Sequence, residues 1–195
     1  CSPIAVNTLF SFDNEGEHYN SNANKPLPNC FVNGHDDANA SSSYLPYLIK
    51  NNASTQYSRS GDYALVLSRK EGNQGGYIAM PLVDGDLDTL QLTFWMRCVT
   101  NTISTGAVAT GNLANDMGRK VTVGTMTNPL DPTTFEAIGT YEYSYTTADL
   151  NGKNITNDPD SNSYWMEITV PLEGVKGQYI TFKNEYYGKE KNYVY

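Results

Sequence analysis

The sequence has no apolar run approaching the ~18 residues that a membrane-spanning helix needs. It is short of positive charge, with 13 Lys plus Arg against 21 Asp plus Glu and a formal net charge of −8. No basic cluster occurs, which excludes nucleic acid and an anionic membrane surface as expected partners. Charged residues of both signs make up only 17% of the chain, below the ~25% of an average globular domain. Cysteines number three and histidines two. No C-x-x-C occurs, and His18 and His35 do not stand at a zinc spacing. There is no G-x-S-x-G, and neither histidine is framed by a nucleophile, so Ser-His-Asp and Cys-His catalysis lack their parts.

Uncharged polar residues fill the gap: 21 Asn, 19 Thr and 14 Ser, with 15 Tyr outnumbering 6 Phe and 2 Trp. A hydrophobic fraction of 39% and an aromatic fraction of 12% supply a core and exclude a disordered tail. Residues poor in Ala, Leu, Glu and Lys but rich in Thr, Tyr and Asn favour strands over helices. The length of 195 residues fits one domain, 1–195. The chain opens at Cys1 without Met and stops at Tyr195 inside an alternating run, so the expectation is a domain excised from a longer multidomain polypeptide, or a mature segment after processing.

Period-two runs bounded by turn residues recur along the chain. They predict strands at Ile4 to Phe12, Tyr44 to Ile49, Tyr63 to Ser68, Gly76 to Pro81 and Thr89 to Val99. Further strands are expected at Lys120 to Thr127, Phe135 to Tyr143, Tyr164 to Leu172, Gln178 to Asn184 and Asn192 to Tyr195. About ten strands with no helix between them predict an all-β, antiparallel β-sandwich, a jelly roll. Polar stretches from Gly16 to Asn29, Asn33 to Ser43, Asn101 to Gly118 and Thr146 to Ser163 read as long loops.

Within Thr89 to Val99, residues Leu90, Leu92, Phe94, Met96 and Cys98 share one face, while Gln91, Thr93, Trp95 and Arg97 share the other. Met166, Ile168 and Val170 oppose Trp165, Glu167 and Thr169 in the same way. Ile180 and Phe182 point inward, with Tyr179, Thr181 and Lys183 outward. If these strands are neighbours, Trp95, Arg97, Trp165, Glu167 and Tyr179 form an aromatic and charged platform. Ring faces stack on sugar rings, and Arg and Glu hydrogen-bond hydroxyls. The competing expectation is that the outer Trp residues lie under a crossing loop.

Asp13 and Glu15, two apart on an expected strand, point to one side and are the leading cation ligands. Oxygen ligands of this kind suit Ca²⁺, and Asp62, in the turn before a strand, is a further candidate. The plainer alternative is solvated edge carboxylates. Asp84-Gly85-Asp86-Leu87-Asp88 alternates carboxylates as a Ca²⁺ loop does. The twelve-residue pattern fails at Trp95, where a bidentate Glu belongs, so a β-turn is expected there. Asn157-Asp158-Pro159-Asp160-Ser161-Asn162 also reads as turn chemistry. Glu136, Glu142 and Glu167 are strand-borne, but no spacing selects a glycosidase pair. For the cysteines three states stay open: a disulfide such as Cys1 with Cys30 in an oxidising compartment, three reduced thiols, or Cys1 as the acylated cysteine of a lipoprotein. Asn39, Asn52 and Asn154 head glycosylation sequons, which arise readily by chance in an Asn-rich chain.

Several segments in order resemble a known family. Phe10-Ser11-Phe12-Asp13-Asn14-Glu15-Gly16 resembles an opening F-S-x-D-F-E-G strand. Leu27-Pro28-Asn29-Cys30-Phe31 resembles an L-P-x-C-W turn, and Ser60-Gly61-Asp62-Tyr63-Ala64-Leu65 an S-G-x-x-A-L segment. Leu92-Thr93-Phe94-Trp95-Met96-Arg97 resembles L-S-F-W-M-R. Val121 to Pro129, followed by Thr134-Phe135, resembles L-x-V-G-x-M-T-D-P…T-F. Trp165 to Leu172 and Tyr179 to Phe182 complete the order. The chain thus resembles, from about residue 8 to its end, the MAM-like, cleaved-adhesin (choice-of-anchor J) jelly-roll modules of Bacteroidetes surface proteins. Asn14 replaces the usual aromatic, and the closing Y-I-D-D-V aspartates are absent after Tyr193-Val194.

The resemblance implies a secreted or cell-surface module set among other domains of the same polypeptide, and with no catalytic pair selected by the sequence the expected role is non-catalytic adhesion. Its expected partner is a glycan or host surface protein, and a spacer role or, less so, glycan degradation are the alternatives. It also implies a structural cation, Ca²⁺, where the first strand meets the last, near Asp13, Glu15 and Asp62.

Overall fold

Alternating apolar and polar positions build two facing layers of strands. The computed structural model describes residues 1–10, 12–13, 17–19, 26–35, 45–51, 57–69, 76–99, 120–143, 165–184 and 192–194. In chain order the strands are β1 (Ile4–Ala5), β2 (Glu17–Tyr19), β3 (Pro26–Pro28), β4 (Val32–His35), β5 (Tyr47–Lys50), β6 (Tyr63–Arg69), β7 (Gly76–Ala79) and β8 (Val83–Asp84). There follow β9 (Gln91–Met96), β10 (Cys98–Val99), β11 (Lys120–Met126), β12 (Phe135–Glu142), β13 (Met166–Pro171), β14 (Tyr179–Asn184) and β15 (Asn192–Val194). Two single 3₁₀ turns, Leu87–Thr89 and Pro132–Thr134, are the helical elements among the described residues.

One layer is a five-stranded sheet ordered β12-β11-β14-β7-β4, antiparallel throughout. The other contains β10-β15-β6-β5 and the antiparallel pair β9–β13. Between them lies the main core. Ile78, Val121, Val123 and Ile180 of the first layer meet Met96, Val170 and Leu67 of the second, with Phe94, Ile168 and Phe182 packed against them. Phe94 meets Phe182 edge-on at 5.3 Å between ring centroids, a favoured aromatic geometry. Asn184, fully buried, donates its amide to the Leu67 carbonyl at 3.0 Å and so ties β14 to β6 across the core. The fold is therefore the expected all-β antiparallel sandwich, apart from a short parallel pairing of β1 with β8.

Several boundaries differ from the sequence reading. The expected strand from Ile4 to Phe12 pairs only at Ile4–Ala5, because the chain turns at Asn7 (φ 66°) and again at Phe12 (φ 65°). Thr8 stabilises the first turn by donating its hydroxyl to the Ala5 carbonyl at 2.6 Å. The long strand expected from Thr89 to Val99 breaks at Arg97, so that β9 pairs with β13 while β10 pairs with β15. The stretches read as loops from Gly16 and from Asn33 contain β2, β3 and all of β4 but its first residue, Val32. In β4, Gly34 leaves room for the Tyr77 ring, which a Cβ would meet. Cys1 and Cys30 form a disulfide that pins the N-terminal segment beside β3. A thioether-linked lipid on Cys1 and this disulfide are mutually exclusive states of one sulfur atom.

Candidate functional site

The five residues expected to make a ligand platform divide into three groups. Trp95 and Glu167 are cross-strand partners in β9–β13, which meets the condition that these two strands be neighbours. Glu167 is exposed and Trp95 half-buried. Arg97 and Trp165 share that outer face but are covered: Arg97 is 0% exposed and Trp165 6%. Tyr179, half-buried, belongs to β14 in the other sheet, opposite Met126.

The cover comes from the segment 57–59. Tyr57, Ala64, Val66 and Trp165 form a second apolar cluster on the outer side of this layer, with Tyr47, Ile49 and Trp95 packed on it. Two cation–π contacts stitch it together. The Arg59 guanidinium lies 3.8 Å from the Trp95 ring centroid and that of Arg97 4.8 Å from Trp165. Arg97 also donates from Nη2 to the Tyr57 carbonyl at 3.2 Å. A buried guanidinium needs such partners to offset desolvation. At Trp165 the second of the two expectations holds, a tryptophan under a crossing segment, and Arg97 is enclosed with it rather than offered to a ligand. On this face Glu167 and part of Trp95 stay accessible, beside the Thr93–Thr169 hydroxyl pair at 3.3 Å.

The second candidate lies close by in the chain. Asp13 is not on a strand, so the i, i+2 reasoning for Asp13 and Glu15 does not apply at Asp13; Glu15 lies outside the described residues. Asp13 Oδ1 accepts hydrogen bonds from the backbone N–H of Asp62 at 2.7 Å and of Tyr63 at 3.1 Å. Gly61, at φ 66°, admits the carboxylate; a Cβ there would collide with it. Asp13 and Asp62 are thus brought together across 49 residues of chain. Asp62 faces Lys50 at 3.9 Å in an exposed ion pair, of a kind that adds little stability.

Asn51 organises this turn, and the sequence reading missed it. Its side-chain oxygen accepts from Tyr57 N at 2.8 Å and Ser58 N at 3.1 Å. Its amide donates to Ser58 Oγ at 2.8 Å and to the Gly61 carbonyl at 2.9 Å. One Asn among many carries no distinguishing signal in sequence. Its position fixes both the Tyr57–Arg59 cover over the tryptophans and the turn that Asp13 clamps.

As cation ligands, Asp13 and Asp62 offer two carboxylates. No group of three or more His, Cys, Asp or Glu suited to a metal occurs among the described residues. Ca²⁺ takes six to eight oxygens, so these two would supply part of a shell. The turn at Asp84–Asp88 is, as expected, capped by its own carboxylates: Asp86 Oδ1 accepts from Asp88 N at 3.2 Å, and Asp88 Oδ1 accepts from Gly174 N. The Asp158 and Asp160 turn and all three glycosylation sequons lie outside the described residues. No helix of the described residues is long and apolar enough to cross a membrane.

An antiparallel all-β sandwich with a second apolar cluster on its outer face is the class that strand order and packing define. No family model matches the chain, and no curated protein matches it. Among solved structures, it is similar to the K2 cleaved adhesin domain of Lys-gingipain (Kgp), with TM-score 0.54 and 11% identity over 94% of this chain and 92% of that domain. The K1 cleaved adhesin domain of Lys-gingipain from Porphyromonas gingivalis W83 aligns over 84% of this chain and 94% of that one, at 13% identity and TM-score 0.42. At such identity the likeness to the K2 domain is one of fold.

Proposed function

We propose that the chain is a non-catalytic module of the cleaved-adhesin, MAM-like type, secreted or displayed at a cell surface, that binds a glycan or a host protein. The observation that carries this reading is the sandwich it shares with the K2 cleaved adhesin domain over 94% of the chain. Fold alone leaves the ligand open, so the surface must supply it. Glu167, the accessible part of Trp95 and the neighbouring Thr93 and Thr169 are the part of the expected platform that a partner can reach. The strand-borne carboxylates support the non-catalytic reading. Glu136 and Glu142 stand six residues apart on β12, about 20 Å at strand rise, and are ion-paired to Lys176 and Lys120. Glu167 lies in the other layer. A glycosidase pair stands ~5–10 Å apart.

Screening against glycans and host surface proteins tests the reading. Loss of a hit in Trp95→Ala or Glu167→Gln, with the melting temperature retained, supports it. A second reading, a spacer within a larger surface protein, is favoured by one observation: Arg97 and Trp165 are buried in packing rather than offered to solvent. Absence of any hit in both screens favours the spacer. Ca²⁺ at the Asp13–Asp62 turn, with Glu15 contributing, is proposed as a structural ligand. Binding to the native state alone raises the melting temperature; no shift with millimolar Ca²⁺ would remove it.

A further inference from the structure

Residues 1–10 lie on the molecule as a shallow strap: Ile4 and Phe10 are half-buried and the rest are exposed. The strap pairs with β8 only at Ile4 and Ala5, opposite Val83 and Asp84. Further along, Phe10 and Phe12 rest on the buried Phe31 ring, at 5.5 and 6.2 Å between centroids. The Cys1–Cys30 disulfide closes the strap beside that ring. Among the described residues, three that are not glycine have positive φ: Asn7 at 66°, Phe12 at 65° and Cys30 at 70°. All three belong to the strap, its continuation or its anchor. Asn tolerates this region, whereas Phe and Cys are strained there, because Cβ crowds the backbone. Such conformations persist where the surroundings enforce them, and they collect at switch regions. Here one enforcing bond is covalent and open to attack: Cys1 is exposed and Cys30 half-buried.

The strap continues into the cover over the tryptophans. Asp13, next after Phe12, holds the N–H groups of Asp62 and Tyr63. Asn51 and Ser58 carry that hold to the cover: both donate to the Gly61 carbonyl, at 2.9 and 2.7 Å, and Asn51 accepts from Tyr57 and Ser58. Tyr57 and Arg59 then close over Trp165 and Trp95. From this continuity we infer that Cys1–Cys30 is a redox clasp that regulates access to the Trp95–Trp165 face. A dithiol reductant attacks the Cys1 sulfur and expels the Cys30 thiolate, leaving a mixed disulfide on Cys1. Its second thiol then closes a disulfide within the reductant and frees Cys1. Two electrons and two protons pass from the dithiol to the two cysteines. Cys30 relaxes out of the left-handed region, Phe31 loses its fixed place under Phe10 and Phe12, and Asp13 releases the 62–63 backbone. The cover at 57–59 loosens and the indole faces open. This regulation presupposes the binding-module reading of that face and adds a condition to it. It also accounts for a platform that alternation places outward yet packing encloses: the enclosed form is the oxidised one.

The chain has two tryptophans, Trp95 and Trp165, so tryptophan fluorescence reports this cover alone. The probe is dithiothreitol. Reduction should move the emission to longer wavelength and raise acrylamide quenching at least about twofold, as local opening does. Hydrogen-exchange protection of β11 and β14 should stay as it was. Cys30→Ser should show the opened signal without reductant. Asp13→Ala should raise quenching in the oxidised protein, and reduction should then add little; Asp13→Asn, which keeps an acceptor oxygen, should respond to reduction as the parent does. Unchanged quenching on reduction would overturn the proposal. So would loss of β11 and β14 protection together with the rise, since the whole domain would then be unfolding, and so would a full reduction response in Asp13→Ala. Glycan or host-protein capture of equal strength in oxidised and reduced protein would remove the regulation and leave the binding-module reading standing. No capture in either state, with quenching rising on reduction, would remove that reading and uphold the clasp.

Discussion

The buried Arg97 guanidinium rests 4.8 Å from the centroid of the buried Trp165 ring. That contact turns an outward face of the second layer into a second core. Trp165→Ala should cost about 3–5 kcal/mol, the range for a buried aromatic removed, read as a lower urea midpoint. Trp165→Phe should cost much less, because a ring face remains for Arg97 and the indole N–H makes no hydrogen bond to be lost. A Trp165→Ala midpoint equal to that of the parent protein would mean the cluster is not a core.

Asp13→Ala removes the acceptor for the Asp62 and Tyr63 N–H groups. The expected loss is about 1–3 kcal/mol, as for a deleted hydrogen-bond partner. Asp13→Asn keeps an acceptor oxygen and should melt close to the parent. Any Ca²⁺-dependent rise in melting temperature should vanish in both variants. A full Ca²⁺ shift in Asp13→Asn would exclude Asp13 as a ligand.

Tyr77 and Asp131 shape the pH limits. The Asp131 carboxyl is held below its ordinary 3.8 by the Thr133 hydroxyl and backbone N–H. Its contribution is therefore present above about pH 4 and is lost as pH falls through the lowered value. Burial, and then the Asp131 charge, push the Tyr77 phenol above its ordinary 10.0. Its contribution is present below pH 10 and is lost as pH rises through the raised value. Melting temperature should fall at both extremes. Asp131→Asn should flatten the acid limb and bring Tyr77 ionisation closer to ordinary. Tyr77→Phe should flatten the alkaline limb but lose about 1 kcal/mol with the 2.9 Å bond to the Pro129 carbonyl.

Reduction of Cys1–Cys30 frees a loop with a sequence separation of 29. Removing a cross-link of that span costs about 2–4 kcal/mol. Cys30→Ser should therefore lower the melting temperature, and parent protein in reductant should match it. Equal melting in oxidising and reducing buffer would show that the bond stabilises nothing.

The sequence carries the core faces with fidelity, and physics explains why. Leu90, Leu92, Phe94 and Met96 alternate cleanly, as do Met166, Ile168 and Val170, and all pack where alternation directs them. Alternation assigns a side chain to a face, but it says nothing of what lies over that face. Alternation puts Trp165 and Arg97 on the correct side but does not choose between an open platform and a covered face, because the cover depends on Asn51 bonding residues six and seven positions on. The strand break at Arg97 is not legible in the sequence for a related reason: β10 keeps the same period as β9 while changing partner. β4 is not legible because a four-residue strand containing Asn33 and Gly34 reads as turn chemistry. The Asp13 clamp needs contact across 49 residues, and no local pattern reports that.

The place of β15 in its sheet governs how the molecule can assemble. It lies between β10 and β6, pairing Val194 with both Cys98 and Leu67. During synthesis those two strands emerge long before residues 192–194, and until then each presents an unsatisfied backbone edge. An open edge recruits any strand available, including one from another molecule. A chain shortened before Asn192 would therefore keep a strand-sized slot. The same slot would accept a donated β15 segment, added in trans, as an antiparallel insert.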